Sequence, residues 1–208
     1  MPSPHVICIR DMATDFTQYL AIDYGVLRRY LGEVRFNALT SDCIAANPSR
    51  NLNASAYSAR LPERIASFHK ASSELAELAE LERALRDAFE ATETQALSPD
   101  SLLPERLRLH PSVHLISFTQ NTLSIWSGLK CDEPPPRPYT LDTPQHVLVW
   151  RHNGQPRMRI LGDDEHGLLD SIRTRFCFVA GDETSELYLR GWLETEVLAE
   201  AGKVDVAK

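Results

Sequence analysis

Seven histidines are the first candidates for chemistry: His5, His69, His110, His114, His146, His152 and His166. None lies in an H-E-x-x-H pattern, which would set two imidazoles and a general base on one helical face. His110 and His114 are four apart, but Pro111 and a predicted strand intervene, so they do not form a helical ligand pair. His110, directly before Pro111, reads as a turn residue that hydrogen-bonds the backbone. The cysteines, Cys8, Cys43, Cys131 and Cys177, make no C-x-x-C pair and suggest neither a zinc site nor a disulfide framework. They read as reduced thiols of a cytoplasmic protein. No G-x-S-x-G, P-loop or G-x-G-x-x-G is present. The glutamates of the run Leu75–Glu82 read as a solvent face rather than an acid–base pair. The residues therefore assign no catalytic group and no metal ligand to this chain.

Charge is the second clue. The 208 residues carry 29 acids against 22 Lys and Arg, a net charge of -7, so the overall field repels phosphate. A basic island nevertheless lies at Arg151, His152, Arg157 and Arg159. An edge strand defended by charge has this composition, and so does an edge that receives an acidic peptide by strand addition. The segment from Asp182 to Glu200 is the natural recognition helix of a winged module. It carries six acids and Arg190 as its one base, which weighs against DNA binding.

The first half must supply helices. Phe16, Leu20, Tyr24, Leu27 and Leu31 recur at helical spacing, interrupted by Gly25 and Gly32, so one helix and two helices meeting near Asp23–Gly25 fit the pattern equally. A further helical segment over 33–46 stops at Asn47-Pro48. A loop rich in Asn and Ser follows, with the formal sequon Asn53-Ala54-Ser55. The clearest helix runs from about Ser72 to Ala91, with Glu82 and Arg86 placed for an i,i+4 pair. Ser98-Pro99 reads as a cap and first turn. In the second half a strand is expected around Val113–Phe118 and a short amphipathic segment around Leu123–Trp126. The five prolines of 131–145 predict a stiff loop. Strands over 146–151 and 156–161 flank Asn153-Gly154, a strong hairpin turn. Helices follow over 163–175, with acids first and arginines last, and over 183–201. The expectation is an α+β protein. A helical domain over 1–108 precedes a winged-helix-like module with a small antiparallel sheet over 109–208. No apolar stretch is long enough to span a membrane, and no signal peptide is recognisable.

Six segments, in order, resemble a known family. Tyr24–Glu33 is similar to its "YPVVRRLLGE" segment, Asn47–Asn53 to its "HPPRSPNLNEYG" loop, and Leu75–Ala84 to "YLADLARLEWA". Leu107–Ser112 matches "LRLHPS", and Ile125-Trp126 and Val149-Trp150-Arg151 complete the series. These are marks of the HvfC/BufC-type proteins, whose N-terminal part carries a DNA-binding label. The resemblance covers roughly residues 15–180. Arg83 stands where the family has Trp, and the family's first helix with its "YRNN" motif has no counterpart here.

The resemblance implies a non-catalytic partner subunit for a TIM-barrel enzyme of the methanobactin-synthase type. That enzyme carries the iron and modifies cysteines of a ribosomally made precursor peptide, as in methanobactin or thiaglutamate pathways. The C-terminal sheet of such partners captures the leader as an added strand. On that expectation His146, Leu148, Trp150, Arg151, Arg157 and Arg159, with Leu189 and Trp192 on the last helix, form the peptide site. Tyr24, Arg28, Arg29 and Arg35 form the surface for the enzyme subunit. No cofactor is expected in this chain. A DNA-binding regulator is the alternative.

Overall fold

The computed structural model describes residues 17–45, 57–69, 72–99, 107–178 and 181–199. The chain is α+β, helical at first and then built around a small antiparallel sheet. It forms two compact units, each made from two stretches of sequence. The first comprises Met1–Arg83 and Phe118–Thr143, the second Ala84–Ser117 and Pro144–Lys208. Among the described residues, no helix is long and apolar enough to cross a membrane.

In the first unit a helical stretch over 17–23 turns at Tyr24 into α1 (Gly25–Leu31), the two-helix alternative of the two that the spacing leaves open. Gly32, at φ 75°, then ends α1 and leads into α2 (Glu33–Ala45). That positive φ suits a residue without Cβ. α3 (Leu61–Phe68) follows, a helix the sequence pattern did not disclose. α4 is Ser73–Glu90. α1 packs on α2 and on the later α5 (Thr122–Lys130), and α2 packs on α3. Leu20, Tyr24, Leu27, Phe36, Ile65, Leu78 and Ile125 fill the core between them.

Two glutamates of α4 do not lie where the sequence pattern places them. Glu77 is buried rather than solvated, and its carboxylate collects four hydrogen bonds. Thr119 donates through its N–H and its hydroxyl, both at 2.7 Å. The Gln120 N–H at 3.1 Å and the Thr122 hydroxyl at 2.5 Å complete the set. Glu82 accepts the Val26 and Leu27 N–H groups at 2.8 and 2.9 Å, so it caps α1. Burial pushes its carboxyl up to about 7 despite those two donors. Arg86 meets Glu90, one turn further along α4.

The second unit holds β1 (Arg108–Leu109), most of β2 (His114–Gln120) and most of β3 (Thr140–His152). It also holds β4 (Gln155–Leu161), α6 (Asp163–Arg175), α7 (Glu183–Glu194) and β5 (Leu198–Ala199). The sheet order is β2-β3-β4, and β1 pairs separately with β5. Asn153 and Gly154, at φ 51° and 72°, make the mirror-image turn whose twist matches the flanking strands. α7 opens with a capping box between Asp182 and Ser185. Leu148, Trp150, Leu161, Leu169, Ile172, Leu189 and Trp192 form the core between sheet and helices.

Two expectations are corrected. The proline-rich loop ends at Tyr139, because β3 begins at Thr140 and runs through Pro144. The last helix stops at Glu194, not at 201. Glu196 takes a left-handed φ of 63°, and buried Val197, Leu198 and Ala199 leave the helix to pair with β1. Backbone bonds from His110 N–H to Val197 and from Leu97 N–H to Leu198 fix that ending. The Asn53 sequon and most of the loop after Asn47 lie outside the described residues, as does nearly all of the helix expected from Ser98.

Replacing Glu77 with Ala strips the acceptor from two backbone N–H groups and two hydroxyls. The expected loss is about 2–4 kcal/mol in urea unfolding, because buried unpaired donors keep their desolvation cost. Glu77→Gln, which retains one acceptor oxygen, is expected to lose about half as much.

Candidate functional site

The hairpin fixes which backbone groups β4 keeps for itself. A two-residue turn makes its closing pair, His152 and Gln155, hydrogen-bonded, and the ladder alternates from there. Gln155, Arg157, Arg159 and Leu161 therefore direct their N–H and C=O groups toward β3. Pro156, Met158 and Ile160 direct theirs outward. The Arg151 N–H, opposite Pro156, confirms the phase, since it leaves the hairpin to meet the Ser112 hydroxyl at 3.1 Å. Pro156 sits where its missing N–H removes no ladder bond. Pro144 is accommodated similarly. Its N–H position faces the β4 side, beyond the last pair, His146 with Leu161.

No strand pairs with the outer side of β4 among the described residues. Among the described residues, no strand or backbone group meets the outward N–H and C=O of Met158 and Ile160. Ile160 is 55% exposed, an unusual figure for an isoleucine within a strand. Pro156, Met158 and Ile160 share one sheet face with Val147 and Val149, while Arg157 and Arg159 share the other with Leu148 and Trp150.

The structure divides the expected peptide-site residues by role. Leu148, Trp150, Leu189 and Trp192 are core, and the Trp150 indole donates to the Thr195 carbonyl at 2.9 Å. Arg151 is buried and donates to the carbonyls of Phe89 and Ala91 at the end of α4, with Glu93 at 3.2 Å. Arg159 makes a bidentate pair with Glu165, whose carboxylate is buried and also accepts the Trp192 indole N–H at 2.8 Å. Arg157 alone of the three hairpin arginines is exposed with no ion-pair partner among the described residues. The alternation in Pro156–Leu161 already puts Met158 and Ile160 together on one face. Their backbone, however, becomes significant only once the turn fixes the phase.

His146 lies at the end of the β3–β4 ladder. Its ring stacks on His166 at 3.8 Å, nearly parallel, and its Nδ1 meets the Ser117 hydroxyl at 2.7 Å. Asp163 lies 3.7 Å from its Nε2. Burial depresses the His166 titration, and His146 depresses it further. His110 is buried, with Nε2 donating to the Thr94 carbonyl and Nδ1 accepting from the Ser112 N–H. The LRLHPS and Val149-Trp150-Arg151 segments thus meet through Ser112.

The enzyme-facing expectation is divided too. Tyr24 is core and donates to the Ser58 carbonyl. Arg28 pairs with Glu33, Arg29 with Asp132, and Arg35 is exposed. No cluster of His, Cys, Asp and Glu suited to a metal occurs among the described residues. No protein-family model and no curated protein matches the chain.

Two outcomes follow from these contacts. Arg159→Ala leaves Glu165 buried without its counter-charge and should cost about 2–4 kcal/mol in chemical unfolding, whereas Arg157→Ala should cost under about 0.5. The His166 effect has a definite sign. With its folded value lowered, the folded state binds fewer protons, so stability present above about pH 6.5 is lost as pH falls through the lowered value. A His166→Gln variant should show a flatter stability profile between pH 7 and 5.

Proposed function

We propose that this chain is the non-catalytic partner subunit of a multinuclear-iron TIM-barrel enzyme that modifies cysteine in a ribosomally made peptide. It holds the precursor's leader as a strand added to the outer edge of β4. The observation that carries this reading is the pair of outward backbone groups at Met158 and Ile160, which meet no strand among the described residues. Main-chain bonds to such an edge supply affinity, and flanking side chains supply selectivity. The six-segment resemblance supplies the partner and the peptide class. The partner's irons supply the oxidation, and this chain supplies capture and orientation. Tethering the leader raises the local concentration of the reacting cysteine, a rate contribution that needs no reactive group here.

The charge on α7 supports a peptide rather than a nucleic acid. Glu183, Glu186 and Glu194 are exposed on it, against Arg190. A helix of that sign is repelled from phosphate.

Co-expression with a TIM-barrel iron enzyme of the methanobactin-synthase type should give a complex that co-elutes on size exclusion and contains iron. Met158→Pro deletes one outward N–H without touching the β3–β4 ladder. It should preserve co-elution and abolish modification of the precursor, read by mass spectrometry. A subunit that fails to co-elute, or a Met158→Pro complex that modifies the precursor at the original rate, overturns the proposal.

A further inference from the structure

We infer that a strand accepted by β4 in the antiparallel sense carries the pattern apolar–uncharged–apolar–acidic, set opposite Ile160, Arg159, Met158 and Arg157 in that order. This guest pattern rests on the strand-addition reading and adds to it a register and a chemistry. Because the turn makes Met158 and Ile160 outward-bonding, a visiting strand must form its hydrogen-bonded pairs with those two. Their side chains lie on the face of Val147 and Val149, which are fully buried. Two apolar guest residues would extend that face and cover Ile160, now 55% exposed.

The intervening guest positions oppose Arg157 and Arg159 in non-hydrogen-bonded pairs, where Cα atoms approach to about 4.5 Å and side chains interact most closely. The two arginines differ. Glu165 already neutralises Arg159, so an uncharged residue suits the place opposite it. Arg157 has no such partner among the described residues, and an acid opposite it completes a cross-strand ion pair.

The same charges argue against a second copy of the chain as occupant. The two antiparallel registers that engage both Met158 and Ile160 set Arg157 opposite Arg159, or Arg159 opposite its own copy. Neither register sets an acid opposite Arg157, so its exposed guanidinium gains no cross-strand partner from a second copy.

The test uses the full chain, labelled with nitrogen-15, and two synthetic threonine-rich octapeptides. One contains Ile-Thr-Val-Glu and the other Ile-Thr-Val-Lys. The Glu peptide at millimolar concentration should shift and protect the Met158 and Ile160 amides. It should bind about fivefold more tightly than the Lys peptide. Arg157→Glu should invert that preference. If both peptides perturb the two amides equally, and Arg157→Glu changes neither, the pattern is wrong while strand addition survives. If neither peptide reaches those amides, strand addition at β4 falls and the pattern with it. Concentration-dependent protection of both amides without peptide would assign the edge to a second copy and overturn the inference.

Discussion

The carboxylate of Glu165 is the contact on which the free edge depends. It lies on α6, takes both arms of the Arg159 guanidinium from β4, and accepts the Trp192 indole N–H from α7. One side chain thereby joins the outermost strand to both helices that cover it. With Glu165 buried and Arg159 partly exposed, the pair is a weak source of net stability, because desolvation of the carboxylate offsets much of its attraction. Its value here is positional. It fixes the roll of β4 so that the arginine side faces the helices and the Met158–Ile160 side chains lie on the face of Val147 and Val149. A strand held by apolar contacts alone could tolerate small rotations about its axis. A bidentate pair tolerates far less.

Buried carboxylates organise the first unit as well. Glu77 and Glu82 are five residues apart on α4, hence about 140° apart around it. One gathers the end of β2 and the start of α5, and the other caps α1. α4 therefore acts as a post with acceptors on two sides. The titration of Glu82 is raised in that arrangement, since burial outweighs the two N–H donors it receives.

Much of this was legible in the sequence. Asn153-Gly154 disclosed the hairpin and the acid-to-arginine gradient disclosed α6, while Gly25 left open whether one helix or two would form around it. These are local signals, set by backbone freedom or the helix dipole, so they survive without tertiary context. What escaped notice was long-range. The run Leu75–Glu82 has the period of a solvated helix face, and nothing in it distinguishes Glu77, whose partners lie more than forty residues away. α7 ends early because Val197–Ala199 find strand partners near residues 96 and 108. The arginines of the hairpin look alike in sequence. Only the fold shows that two are consumed internally and one is not.

The interleaving of the two units has a consequence for how the polypeptide emerges from the ribosome. The first unit needs residues 118–143, so its helices wait for a segment synthesised well after α4. At about 5–20 residues per second, that delay amounts to several seconds in which an incomplete helical cluster must avoid aggregation. The second unit encloses that segment in sequence and so cannot finish first. The two bodies are therefore completed in a nested order, the first closing before the second. A nascent chain stalled near residue 108 would carry no finished globule at all.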